Sequence, residues 1–128
     1  MKKVIKNYIE KIENSKVYEV ASISPLTKAD NLSKELANSI FLKREDLQPT
    51  HSFKIRGAYN KIAHLYQSKK ITEVATASAG NHALALARHG PRSGVPITVV
   101  MPVVAPLTKV SNCRAMGARV VIEGDHLL

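Results

Sequence analysis

Apolar residues recur every three or four positions at the start of the chain. Val4, Ile5, Tyr8, Ile9 and Ile12 stand among Lys and Glu, which predicts an amphipathic helix over 2–14. Val17–Val20 reads as a short extended piece, and Ser24–Thr27 as a turn. Ala29–Asn38 is helical in pattern, with Leu32, Leu36 and Ala37 on one face, and Ile40–Glu45 is a strand that ends in charge. Residues 46–51 form a loop. A second helical run then carries Ile55, Ala58, Tyr59, Ile62, Ala63 and Tyr66, and is expected to end near Lys69 and Lys70.

The pattern then changes. Val74–Ala77 and Ile97–Met101 are short apolar runs of the kind that forms buried strands, and Val120–Ile122 is a third. Between them lie helical stretches at His82–His89 and Leu107–Met116, the first closed by Gly90 and Pro91, the second by Gly117. Pro91–Gly94 reads as a loop. Strand, helix, strand, helix, strand with short connections predicts right-handed βαβ units. The fold class is therefore α/β, a three-layer parallel sheet with flanking helices.

Composition narrows the picture. The chain has 128 residues, 45% hydrophobic and 23% charged, which suits one modest globular unit. Its single cysteine, Cys113, permits no internal disulfide and no cysteine-based metal site, and no His/Asp/Glu cluster has metal spacing. Cys113 is expected to pack in the core. The N-terminus carries lysines without a following apolar run, and no stretch approaches a membrane span. The expectation is a cytoplasmic protein without a membrane partner. The net charge of +9 is spread along the chain, and 5% aromatic residues give few stacking platforms, so no specific nucleic-acid site is expected.

Two stretches can carry chemistry. The first is Ser52-Phe53-Lys54-Ile55-Arg56-Gly57-Ala58, with Ser52 expected to cap the helix. Lys54 lies in the first turn, where the positive helix end and Arg56 disfavour a second cation and Phe53 can exclude water. Imine chemistry needs a neutral amine. A solvated surface lysine fits the same residues. The second stretch, Ser78-Ala79-Gly80-Asn81-His82, falls at a strand-to-helix turn, where free N–H groups can receive an anion. An ordinary turn of small residues fits there too.

Together the two motifs resemble the threonine dehydratases, fold-type-II pyridoxal-phosphate (PLP) enzymes of the tryptophan synthase β-like group. Phe41–Gln48, Val100-Met101-Pro102 and Pro106–Val110 extend the likeness, which runs from about Tyr18 to Asp125. The likeness is greatest to the biosynthetic threonine ammonia-lyases.

The resemblance implies that Lys54 carries PLP as a Schiff base and later removes the substrate α-proton. It implies that Phe53 packs near the cofactor ring and that Asn81 bonds its 3′-oxygen. Ser78, Ala79, Gly80 and His82 are then the loop that receives the substrate carboxylate. The implied reaction is deamination of L-threonine to 2-oxobutanoate and ammonia. The implied domains are 1–48, an N-terminal segment of a large PLP domain, and 49–128, a small α/β domain with the lysine. Leu84-Ala85 stands where Gln-Gly is usual in the family, and none of the six glycines adjoins another, so no glycine-rich phosphate loop is present. The expectation is thus a truncated chain, a homo-oligomer or one completed by another chain. The alternatives are a non-catalytic remnant or binding module, and a dehydratase of broader specificity that also takes L-serine.

Overall fold

The computed structural model describes residues 2–68 and 71–126. The elements are α1 (Lys2–Glu13), β1 (Leu26–Lys28), α2 (Asp30–Glu35), β2 (Phe41–Lys43), α3 (Lys54–Gln67), β3 (Val74–Ala77), α4 (Asn81–His89), β4 (Ile97–Met101), α5 (Leu107–Ala115) and β5 (Arg119–Ile122). Short 3₁₀ turns cover Val17–Glu19, Glu45–Leu47 and Pro91–Ser93.

The second half is a parallel sheet in the order β3-β4-β5. Val74 stands opposite Ile97 and Val99 opposite Val120. Strand side chains alternate between faces. Ile97, Val99 and Met101 of β4 are buried, whereas Thr98 and Val100 are half-buried. The buried face packs on α4 and α5, and α3 lies against α4; Ala58, Ile62, Ala83–Ala87, Val110 and Cys113 join it in one core. Successive right-handed crossovers in one direction put both helices on the same side. The opposite face, with Ala75, Ala77, Thr98, Val100, Arg119 and Val121, has none of the described helices packed across it to the same degree.

Two helix ends explain the boundaries. At α5 the Ala118 N–H bonds the Cys113 carbonyl at 3.1 Å and the Gly117 N–H bonds Arg114 at 2.9 Å, with Gly117 at φ 92°. That is the left-handed stop that glycine favours. Gly90 is needed for space instead: a Cβ there would lie 1.9 Å from Ile97 Cγ1. It lets the end of α4 press against β4.

The first half differs from its expected outline. Val17–Val20 is a 3₁₀ turn, since the Val20 and Ala21 N–H groups bond back to the Val17 carbonyl and no strand pairs with it. Leu26 and Thr27 are not a turn but part of β1, antiparallel to β2. The helix from Ala29 stops early. Ala37 turns left-handed at φ 46°, and the Asn38 N–H closes on the Ser33 carbonyl at 3.0 Å. Pro91–Ser93 coils as 3₁₀ rather than running as a loop. The expected ending of the α3 run at Lys69 and Lys70 lies outside the described residues; the described helix ends at Gln67. In α1 the apolar stripe forms as expected, yet Val4, Ile5, Tyr8, Ile9 and Ile12 all stay exposed.

Candidate active site

Lys54 is the first residue of α3, and Ile55, Ala58 and Ile62 bury the face of that helix flanking it. The lysine side chain is exposed, with Nζ over the Phe53 ring at 5.0 Å from its centroid. Phe53 is itself 59% exposed, so it screens one side of the amine and does not dry the site. Ser52 does not cap the helix. Phe53 holds the N-cap position without a side-chain bond, and the buried hydroxyls of Ser52 and Thr50 have no partner among the described residues.

Arg56 does not face Lys54 as a bare like charge. Its guanidinium takes both carboxylate oxygens of Glu45, and Nη2 also donates to the Ser22 carbonyl at 3.3 Å. Tyr18 lies against it, 5.2 Å from ring centroid to Cζ. Glu45 further accepts from Ser24 Oγ and from Gln48 Nε2, while buried Gln48 bonds both the N–H and the carbonyl of Ser22. The Arg56 bond holds the Glu45 carboxyl at about 2, well below its usual range, with Ser24 and Gln48 helping against the opposing effect of burial. The Arg56 value rises in return. This network fastens the first turn of α3 to the residues before β1 and after β2.

Ser78–Gly80 crosses from β3 to α4. The Ser78 N–H continues the sheet to the Val100 carbonyl at 3.0 Å, and its hydroxyl accepts from the Gly80 N–H at 3.4 Å. Ser78, Ala79 and Gly80 are half-buried, and Asn81 and His82 are exposed. No side chain caps α4, so the N–H groups of its first turn keep their capacity for a ligand. A Cβ at Gly80 would meet nothing within 4 Å. The chain's own packing therefore does not require glycine there. Asn81 Oδ1 accepts from Lys109 Nζ at 2.9 Å. Phe53 and Lys54 are brought together, as are the residues of the Ser78–His82 turn. Among the described residues no hydrogen bond joins the two groups.

A sequence profile described as pyridoxal-phosphate dependent enzyme matches residues 18–126, which takes in both groups. The chain belongs to that family. In tomato (Solanum lycopersicum), a protein named threonine dehydratase 1 biosynthetic, chloroplastic is 48% identical over 118 residues, which is 92% of this chain and 20% of that protein. The processed form of threonine deaminase isoform 2 from the same plant superposes with a TM-score of 0.86 at 41% identity, covering 97% of this chain and 34% of that one. Maize serine racemase superposes at 0.78 with 30% identity, covering 87% and 34%. The chain spans about a fifth of the length of the curated relative. The fold is that of the fold-type-II PLP enzymes.

The residues at hand suit this cofactor at its aldehyde and ring. There is an accessible amine on a fixed helix, an aromatic ring beside it, and an amide at the start of α4. The described residues hold no group of three metal-ligating side chains. None of their helices is long and apolar enough to cross a membrane.

Two features of the site stand apart from the local sequence patterns. The Glu45–Arg56 pair joins positions too far apart for any helical or strand spacing to disclose. Lys109 did carry a signal: a lysine in the first turn of a helix opposes the helix dipole and so needs another reason to be there.

Proposed function

We propose that this chain takes part in the PLP-dependent deamination of L-threonine to 2-oxobutanoate and ammonia, the entry to isoleucine synthesis. The observation that carries this reading is the exposed Lys54 amine at the start of α3, beside Phe53, in a chain 48% identical to a biosynthetic threonine dehydratase. When bound, PLP supplies the electron sink that lets the α-C–H bond of an amino acid break. Lys54 would hold the cofactor and would move the α-proton at Nζ. Its position is set by the packed face of α3 and by the Arg56–Glu45 bond behind it.

Phe53 would pack near the cofactor ring, and Asn81 would donate from its amide to the ring oxygen. Ser78, Ala79, Gly80 and His82 offer N–H and side-chain donors to the substrate carboxylate, in the open space before α4. L-Serine differs from threonine by one methyl group and is the competing substrate. The same reading divides the chain into 1–48, part of a large PLP domain, and 49–128, the small domain. It places the protein in the cytoplasm, as a homo-oligomer or beside a complementing chain.

A binding module without turnover is the second reading. It is favoured by the six glycines, none adjacent to another, which leave the cofactor phosphate without a glycine-rich loop in this chain.

The experiment is a PLP titration followed by borohydride reduction and peptide mass spectrometry, with Lys54→Ala alongside. Reductive labelling at Lys54 that is lost in the variant, together with 2-oxobutanoate from threonine, supports the enzyme. Labelling without product supports the binding module. No labelling at Lys54 overturns both.

A further inference from the structure

Resting on the proposed placement of Asn81 at the cofactor ring, we propose that Lys109 is a positioning residue: its ammonium holds the Asn81 carbonyl oxygen and so directs the amide N–H₂ toward the cofactor's 3′-oxygen. Nζ lies 2.9 Å from Oδ1. An ammonium has donors and no acceptor, so only the oxygen end of the amide can face it. An exposed asparagine without such a neighbour is free to present either end, because its oxygen and nitrogen are nearly equal in size. With Lys109 in place the choice is made before any ligand arrives. Among the described residues nothing accepts from Nδ2.

The two residues are held by the fold. Asn81 opens α4 directly after β3, and Lys109 lies in the first turn of α5 after β4. Both therefore lie past the carboxyl ends of neighbouring strands, the edge at which open parallel sheets bind ligands. Lys109 is half-buried while Asn81 is exposed, so the lysine stands behind the amide and leaves its outer side clear. Helix stability does not explain Lys109, because a cation at this end is unfavourable. A cation on the oxygen also polarises the amide and strengthens its N–H donors, which suits an acceptor that carries negative charge.

The test uses Lys109→Met, Lys109→Arg, Asn81→Ala and the double variant Lys109→Met/Asn81→Ala. The first readout needs no cofactor: the Asn81 side-chain amide signals in ¹⁵N-labelled protein. Lys109→Met is expected to move them, and Lys109→Arg, which also only donates, to keep them near their original position. The second readout is the PLP dissociation constant. Asn81→Ala and Lys109→Met are each expected to weaken binding about tenfold, the scale of one hydrogen bond, with the double variant no weaker than Asn81→Ala. Unmoved amide signals in Lys109→Met overturn the proposal. So does additive weakening in the double variant. If PLP labels Lys54 but Asn81→Ala binds it normally, the placement of Asn81 fails, and this proposal with it. Failure to label Lys54 in the parent overturns the proposed function and with it the cofactor end of this proposal, whereas unmoved amide signals overturn the Lys109–Asn81 contact alone.

Discussion

Arg56 grips both carboxylate oxygens of Glu45, with Nε 2.9 Å from Oε2 and Nη2 2.9 Å from Oε1. A two-point contact fixes direction as well as distance. It lies two residues beyond Lys54, so the helix that bears the amine is tied at its first turn to the N-terminal segment.

Breaking this contact should loosen the fold and change its acid response. Glu45 ionises near 2 in the folded chain and near 4.5 in the reference state. A depressed carboxyl stabilises the fold fully above the unfolded value and loses that contribution as pH falls from about 4.5 to about 2. Glu45→Gln should lower stability by about 2 kcal/mol at neutral pH and flatten the dependence in that window. Urea unfolding as a function of pH measures both.

His89 gives a second window at higher pH. It is 2% exposed, its Nε2 has no partner among the described residues, and it meets the Tyr59 ring edge-on at 5.3 Å. Burial, with Arg88 and Arg92 adding repulsion, lowers its value from 6.5 to about 4. The neutral ring is the folded form, so its contribution is complete above 6.5 and fades as pH falls toward about 4. His89→Phe should remove this slope and leave the Glu45 window unchanged. A variant that keeps both slopes would contradict the assignment.

Three small-residue exchanges should separate space from conformation. Gly90→Ala drives a methyl group into Ile97, and should destabilise by about 3 kcal/mol. Ala37→Gly relieves a left-handed alanine at φ 46° and should stabilise by about 1 kcal/mol. Gly57 sits inside α3, and a methyl group added there would meet nothing within 4 Å, so Gly57→Ala should also stabilise by about 1 kcal/mol. Thermal melts of the three variants give the order directly.

A fourth prediction concerns Cys113. It is completely buried between α5 and the core, and burial pushes its thiol up. A thiol reagent should therefore label it only as fast as the chain unfolds, and urea should accelerate labelling in step with loss of helix signal. Rapid labelling in native buffer would contradict this packing.

The second half of the fold was legible because each of its patterns is local. β4 needs five β-branched or apolar residues between two prolines, and α5 ends at a glycine whose left-handed turn closes it. The places of Lys54 in a first helical turn and of Ser78–His82 at a strand-to-helix turn were legible for the same reason. The first half was not, because its order depends on distant partners. Leu26 becomes strand by meeting Lys43, and the Val17–Glu19 turn carries Tyr18, which packs against Arg56. Ser52 suits a cap by residue type. In the fold the helix begins one residue late for it, and its hydroxyl is enclosed instead.

The anchoring of α3 has one more consequence. Ile55, Ala58 and Ile62 pin the helix from one side, while Lys54 projects from its first position into the open. The tether point is stationary and the four-carbon arm is not. The amine can take up different positions beside the start of the helix, like a crane on a fixed footing, without any rearrangement of the backbone.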